Sequence, residues 1–364
     1  MRIGVPKEIK DQEYRIALTP GAVGELVARG HQVTIERGAG LGAGFTDQDF
    51  IDRGARIVDH PAQVFEQELV LKVKEPLPQE YQFLHDRLIL FTYLHLAADR
   101  DLTLALLRSG CSALAYETVQ LPNGQLPLLT PMSLIAGRLA AQFGSHFLTR
   151  QQGGRGILLG GIPGVRPGRV VILGGGTVGT EAAKIAVGLG ARVQIFDINL
   201  DRLNELAQLF GSRVELLYSN PSILEEVIPT ADLVIGAVLV PGKKAPVLVS
   251  RELVQQMQPR SVIVDVAVDQ GGCIATVRPT THSQPTYMAE GVLHYSVPNM
   301  PGAVPWTATQ GLVNATLPYI LQLAEGLDYL DRYPVLQTGL NVHQGRIVHR
   351  AVASVFPDLV ETIL

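Results

Sequence analysis

Residues 169–197, RVVILGGGTVGTEAAKIAVGLGARVQIFD, constrain this chain more than any other stretch. Arg169 to Leu173 is a short apolar, β-branched run that reads as a buried strand. Gly174, Gly176 and Gly179 then fall in the G-x-G-x-x-G spacing, and a helical stretch follows with Ala182, Ala183, Ile185, Ala186 and Leu189 near one face. Gly190 suits the left-handed position just past that helix. A second strand, Arg192 to Phe196, ends in Asp197. Each part has a task. Gly174 permits the tight turn, Gly176 lets backbone approach a pyrophosphate, and Gly179 lets the helix pack close to the strand. The free N–H groups at the helix start face the phosphates. Asp197 can accept hydrogen bonds from a ribose and repels a 2′-phosphate, which favours NAD over NADP. With 37 glycines in the chain, the spacing alone would be weak. The flanking strand and helix and the acid at the right distance make it a dinucleotide site.

At 364 residues the chain predicts two domains, each with its own core. A net charge of −4 gives no support for a nucleic-acid or anionic-membrane surface. No uninterrupted apolar run reaches membrane-spanning length. Met1 is followed by Arg2 and a short strand, not a long apolar segment, and this predicts a cytoplasmic protein. Cys111 and Cys273 lie far apart and form no metal motif, so no metal site is expected. A G-x-S-x-G elbow and a P-loop are both missing.

The first 130 residues alternate short strands with helices and predict a second doubly wound unit without a dinucleotide fingerprint. Strands are expected at Arg2–Val5, 32–36, 57–58, Leu69–Val73, Leu88–Tyr93 and 112–116. Thr130 opens a long helix through about Thr149. In the nucleotide domain, strands are expected at 214–217, Leu233–Leu239, Ser261–Val268 and Val292–Val297, with Asp269 at the end of the third. A helix after residue 306 carries Pro318 as an expected kink. The fold class is therefore α/β, with two doubly wound Rossmann-like domains and the NAD domain inserted between two pieces of the substrate domain. The boundaries are 1–131 and 306–364 for the substrate domain and 132–305 for the NAD domain. A cleft between the two is the expected place for a small substrate.

Four residues are candidates for chemistry. Arg15 offers a planar fork for a carboxylate. Lys74 can bind that carboxylate or polarise a carbonyl, with Lys72 as its rival on the same strand face. His95, just beyond a buried strand, titrates near neutral pH and can carry a proton. Asp269 lies beside Gly271-Gly272, with Asp265 as the competing carboxylate; alternation along one strand favours Asp269. Read from the residues alone, each has a plain structural alternative. These are a surface salt bridge for Arg15, a snorkelling strand-end lysine for Lys74, a satisfied structural histidine for His95 and a turn-forming aspartate for Asp269.

The stretches MRIGVPKEIKDQEYRIALTP, ERGAGLGAGFTD, LVLKVKEPLPQEY, LFTYLHLAADRDLT, TPMSLIAGRLAAQ, VIVDVAVDQGGC and VPNMPGAVPWTAT, together with the glycine unit, run almost end to end. In them the chain resembles the alanine dehydrogenases, those of cyanobacterial type most closely. That family shares its fold with the soluble NAD-binding part of proton-translocating transhydrogenases. The resemblance implies reversible NAD-dependent oxidative deamination of L-alanine to pyruvate and ammonium, in a homohexamer. It implies that Arg15 and Lys74 bind substrate and that His95 and Asp269 are the catalytic pair. Around the cofactor it adds Ser133, Thr177, Val178, Arg202, Ser219, Val238, Leu239, Val266, Ala267, Val268, Arg278, Val297, Pro298, Asn299 and Met300 to Gly174, Gly176, Gly179 and Asp197. Some relatives hold a divalent ion with a Glu and a His on a late helix; the comparable stretch here, YILQLAEGLDYL, lacks that His, so no such site is expected. Two other readings stay open: a lysine- or saccharopine-type dehydrogenase of similar fold, and a non-catalytic NAD-binding module of transhydrogenase kind.

Overall fold

Short apolar runs separated by capped helices build two mostly parallel sheets, their central strands buried on both faces in the manner of doubly wound proteins. The computed structural model describes residues 1–238 and 245–361, the side chains of Asp269, Gln270, Val360 and Glu361 excepted. The chain divides into two compact units. An outer unit comprises Met1–Met132 and Gly302–Leu364, and an inserted unit comprises Ser133–Pro301.

The outer unit begins with β1 (Arg2–Val5), β2 (Gln32–Glu36), β3 (Arg56–Val58), β4 (Leu69–Leu71), β5 (Ile89–Thr92) and β6 (Ser112–Ala115). They lie parallel in the order β3-β2-β1-β4-β5-β6. This is the doubly wound order, whose direction reverses between β1 and β4. Local sequence sets the helices between them. Thr19 accepts from the Ala22 N–H with Pro20 in the first turn, and Thr46 and Asp49 form a capping box.

The inserted unit holds β7 (Arg169–Leu173), β8 (Arg192–Asp197), β9 (Val214–Tyr218), β10 (Leu233–Gly236), β11 (Val262–Asp265), β12 (Thr286–Ala289) and β13 (Val292–Tyr295). Its order, β12-β13-β11-β10-β7-β8-β9, repeats the pattern, with the reversal between β7 and β10 and β12 added antiparallel at one edge. After residue 302 the chain rejoins the outer sheet. There β14 (Leu340–His343) pairs antiparallel with β6, and β15 (Arg346–Ile347) with β14.

Several expectations need correction. The strand expected over Ser261–Val268 stops at Asp265, and Val266–Gln270 is a turn of 3-10 helix. The Asp265 side chain accepts the Ala267 N–H at 2.8 Å and the Cys273 N–H at 2.9 Å, which turns the backbone out of the sheet. Asp269 therefore follows no strand alternation from Asp265. The strands at 69–73 and 88–93 are shorter, ending at Leu71 and Thr92. Pro318 sits inside a helix that runs from Pro305 to Leu323. Leu239, expected at a strand end, lies outside the described residues. Among the described residues no helix is long and apolar enough to cross a membrane.

Candidate active site

In the inserted unit, the carboxyl ends of β7 and β10 flank the point where the winding reverses, which is where open α/β sheets take ligands. Gly174 follows β7 with φ of +100°, and a Cβ there would lie 2.7 Å from the Ala237 carbonyl oxygen just past β10. A Cβ on Gly179 would lie 1.9 Å from the Gly174 carbonyl oxygen, so only glycine lets the helix Thr177–Gly188 start this close to the turn. Gly176, by contrast, faces open space and caps that helix with no side-chain bond. The exposed helix start thus keeps its N–H groups for an anion. Asp197, at the end of β8, accepts from the Gly175 N–H at 2.7 Å and the Asn199 N–H at 2.9 Å. An open glycine cradle, an uncapped helix start and a carboxylate tied to the turn fit an NAD-type dinucleotide.

The other residues expected around the cofactor are distributed over this unit. Arg202 donates to the Gly175 carbonyl at 2.8 Å and to Thr180 Oγ1 at 2.8 Å, and pairs with Glu205. Its three guanidinium nitrogens are thereby turned to the glycine turn, to the helix that follows that turn and to its own helix. Thr177 and Val178 open the helix after the turn, and Ser133 lies in the first turns of the helix Thr130–Phe147. The Ser219 N–H donates to the Asp197 carbonyl at 3.0 Å. Val238 is half-buried beside Gly174. Val266, Ala267 and Val268 stand in the 3-10 turn after β11. Arg278 is exposed, its guanidinium 4.2 Å over the Tyr287 ring. Val297, Pro298, Asn299 and Met300 follow β13, with Asn299 left-handed at φ +63° and its carbonyl 3.3 Å from His282 Nε2.

In the outer unit, the loops leaving β1 and β4 flank the corresponding reversal, and they carry Arg15 and Lys74. Arg15 is 2% exposed, which removes the surface-salt-bridge reading. One edge of its guanidinium is taken by Glu13, at 2.6 Å from Nε and 2.5 Å from Nη2. Nη1 donates to the Met132 sulfur at 3.1 Å, a weak acceptor that a carboxylate would outcompete. The two lysines separate cleanly. Lys72 is buried in ion pairs with Glu8 at 3.1 Å and Glu80 at 2.9 Å. Burial opposes its charge, but the two carboxylates outweigh that and hold its ammonium above the ordinary value. Lys74 makes no such ion pair among the described residues: burial, then the nearby Arg15 guanidinium, push its ammonium below the ordinary value, against the weaker pull of Glu75 and Glu13. A cation in that state gains most from an incoming anion.

His95 follows β5, the neighbour of β4. Its ring stacks parallel to Tyr93 at 6.0 Å between centroids. Tyr93 interacts electrostatically with Arg15, and burial pushes its phenol well up. Lys74, Arg15, Tyr93 and His95 thus form one continuous neighbourhood. The His95 backbone is left-handed at φ +50° and ψ +37°, a conformation with a steric cost for a residue bearing a Cβ. Glu117, which the sequence reading did not single out, holds it there. The Glu117 carboxylate accepts the His95 N–H at 2.6 Å and the Leu94 N–H at 3.2 Å, and lies 3.9 Å from His95 Nδ1. No local motif marks Glu117; only the pairing of β5 with β6 brings it near His95.

Of the two aspartates, Asp265 is fully buried, and burial raises its carboxyl to about 6 despite the N–H groups it accepts. Its partners are internal, so it anchors the turn that carries Asp269. The side chain of Asp269 lies outside the described residues. Among the described residues no cluster of His, Cys, Asp and Glu is arranged to hold a metal ion.

Two doubly wound units, one bearing a dinucleotide turn and the other a buried cation cluster beside a strained histidine, define a nucleotide-dependent α/β protein. The family description "Alanine dehydrogenase/PNT, N-terminal domain" matches residues 4–136, and "Alanine dehydrogenase/PNT, C-terminal domain" matches residues 140–350. The chain belongs to the alanine dehydrogenase/PNT family. It is 55% identical to an alanine dehydrogenase of Bacillus subtilis over 97% of this chain and 94% of that one. It is 53% identical to one from Methanococcus maripaludis over 97% and 96%. A solved structure titled L-alanine dehydrogenase superposes with a TM-score of 0.97 at 64% identity, covering 99% of this chain and all of that one. A transhydrogenase from Sinorhizobium meliloti superposes with a TM-score of 0.83, covering 96% of this chain and 100% of that one; at 24% identity it bears on the fold alone.

Proposed function

We propose that this chain catalyses the reversible, NAD-dependent oxidative deamination of L-alanine to pyruvate and ammonium. It is an oxidoreductase of the amino-acid dehydrogenase kind, and NAD is its cofactor. The observation that carries the mechanism is the pairing of an anion-seeking Lys74 with a buried Arg15 beside the reversal of the outer sheet.

Arg15 and Lys74 bind the substrate carboxylate, and Lys74 also steadies the oxygen that forms at the reacting carbon. When bound, NAD supplies the nicotinamide that accepts hydride from the alanine Cα. Once the alanine ammonium has given one proton to solvent, loss of that hydride leaves an iminium on the substrate, to which a water oxygen bonds. His95 takes the proton that this water gives up and returns one to the nitrogen as the carbinolamine collapses to pyruvate and ammonium. Asp269 steadies the departing ammonium. Asp197 selects NAD through the ribose, and Gly174, Gly176, Thr177, Val178 and Gly179 cradle its phosphates. We assign the outer unit to substrate and the inserted unit to NAD. A homohexamer, a cytoplasmic location and an affinity with the cyanobacterial branch of the family complete the proposal, and they rest on the sequence resemblance.

Purified protein should oxidise NADH only when pyruvate and ammonium are both present, and His95→Ala should abolish that activity while NADH still binds. Wild-type protein without such activity, or an unimpaired His95→Ala enzyme, sinks the mechanism. Lysine or saccharopine as the better substrate would move the chain to another branch of dehydrogenases.

A further inference from the structure

Glu8 stands three residues beyond β1, in the loop leaving one of the two strands that flank the reversal of the outer sheet. Its carboxylate is buried and turned wholly toward the segment leaving the other strand, β4. Oε1 accepts the Val73 N–H at 2.6 Å and the Lys74 N–H at 3.3 Å. Oε2 accepts from the Lys72 ammonium at 3.1 Å. Lys72 also donates to Glu80 Oε1 at 2.9 Å, and Glu80 Oε2 accepts the Leu77 N–H at 2.8 Å. On the other side, Thr92 Oγ1 donates to the Lys74 carbonyl at 3.0 Å.

Beyond Leu71 the backbone leaves the regular ladder of β4, so the N–H groups of Val73 and Lys74 need other acceptors. A buried carboxylate is a costly way to provide one, since apolar packing at such positions is often as stable as an ion-pair network. What the network adds is a single place for the chain at 72–74, and so a single origin for the Lys74 side chain. We propose that Glu8 is the positioning residue for Lys74, fixing where its ammonium stands to receive a small 2-oxo acid. This rests on Lys74 being a substrate-binding residue, as set out above. Glu8 itself touches no reacting atom.

Two substitutions separate its hold on the Val73 and Lys74 N–H groups from its charge and its bond to Lys72. Glu8→Asp keeps the charge but withdraws the carboxylate by one methylene from the Val73 and Lys74 N–H groups. Glu8→Gln keeps an acceptor oxygen at full reach and drops the charge. Glu8→Asp should raise KM for pyruvate about tenfold, Glu8→Gln by less than about threefold, and neither should change NADH affinity in a fluorescence titration. Hydrogen exchange of the peptide spanning 72–76, read by mass spectrometry, should be faster in Glu8→Asp and near wild type in Glu8→Gln. The proposal is overturned by a Glu8→Asp enzyme with unaltered KM for pyruvate, by Glu8→Gln being the more damaging, or by an equal loss of NADH affinity. If Glu8→Asp does not fold, Glu8→Gln decides alone: a raised KM for pyruvate or faster exchange at 72–76 overturns the proposal. A wild-type protein that does not turn over pyruvate would refute the proposed function instead, and the exchange data would still judge the hold of Glu8 on this segment.

Discussion

At the scale of single residues, the candidate site is defined by which charges are already satisfied inside the fold. Lys72 and Lys74 are two residues apart on the same segment, and nothing local in the sequence chooses between them. The structure separates them: Lys72 is spent on Glu8 and Glu80, while Lys74 makes no ion pair among the described residues and lies near the Arg15 guanidinium. Glu117 is the acceptor that keeps His95 left-handed, so Glu117→Ala should release that loop. The expected result is a fall in kcat of about tenfold to hundredfold with NADH affinity unchanged, and stopped-flow kinetics beside a fluorescence titration would read both. A Glu117→Ala enzyme with wild-type kcat would show that the His95 conformation needs no such hold. Arg15, Lys74 and His95 could be picked out as candidates from their places after strands, but Glu8 and Glu117 could not. Their partners are backbone N–H groups on neighbouring strands' loops, and no spacing along the chain encodes such contacts.

At the scale of elements, the glycine unit was the most legible part, because every one of its constraints is local. Strand, turn, helix and Asp197 all fall where the sequence puts them. The run at Ser261–Val268 misled for the opposite reason. Its apolar pattern continues past Asp265, but the side chain of Asp265 binds the backbone ahead of it and ends the strand. Gly179 in the first turn of the helix Thr177–Gly188 and Gly188 at its end give a paired test. Gly179→Ala drives a Cβ into the Gly174 carbonyl, whereas Gly188→Ala meets nothing within 4 Å. The first should weaken NADH binding at least about tenfold or cost about 1–3 kcal/mol of stability. The second should leave binding intact and leave Tm unchanged or raised, since Ala is favoured over Gly in a helix by about 1 kcal/mol. Equal behaviour of the two variants would remove the argument from close packing.

At the scale of the whole molecule, one buried group gives stability a definite pH signature. Burial raises Asp265 from 3.8 to about 6, so the folded chain binds its proton more tightly than the unfolded chain does. Its contribution is therefore full below the ordinary carboxylate range and is lost as pH rises toward about 6. Asp265→Asn cannot titrate. Urea midpoints measured in steps across that interval should show the wild-type advantage over Asp265→Asn shrinking as pH rises, and a constant difference would refute the assignment. The insertion of one unit into the other was readable from the long helix opening at Thr130 and from the proline-rich return at 301–306. The closing strands β14 and β15 were not, because they are too short and too polar to carry a periodic signal. They nonetheless govern the order in which the protein can be completed on the ribosome. The inserted sheet has its seventh strand once Tyr295 has been made, whereas the outer sheet, started at Arg2, must wait for Ile347. Domains commonly mature in the order in which they emerge. In this chain the domain begun first is the one finished last, and the nascent outer sheet keeps the β6 edge unpaired until almost the end of synthesis.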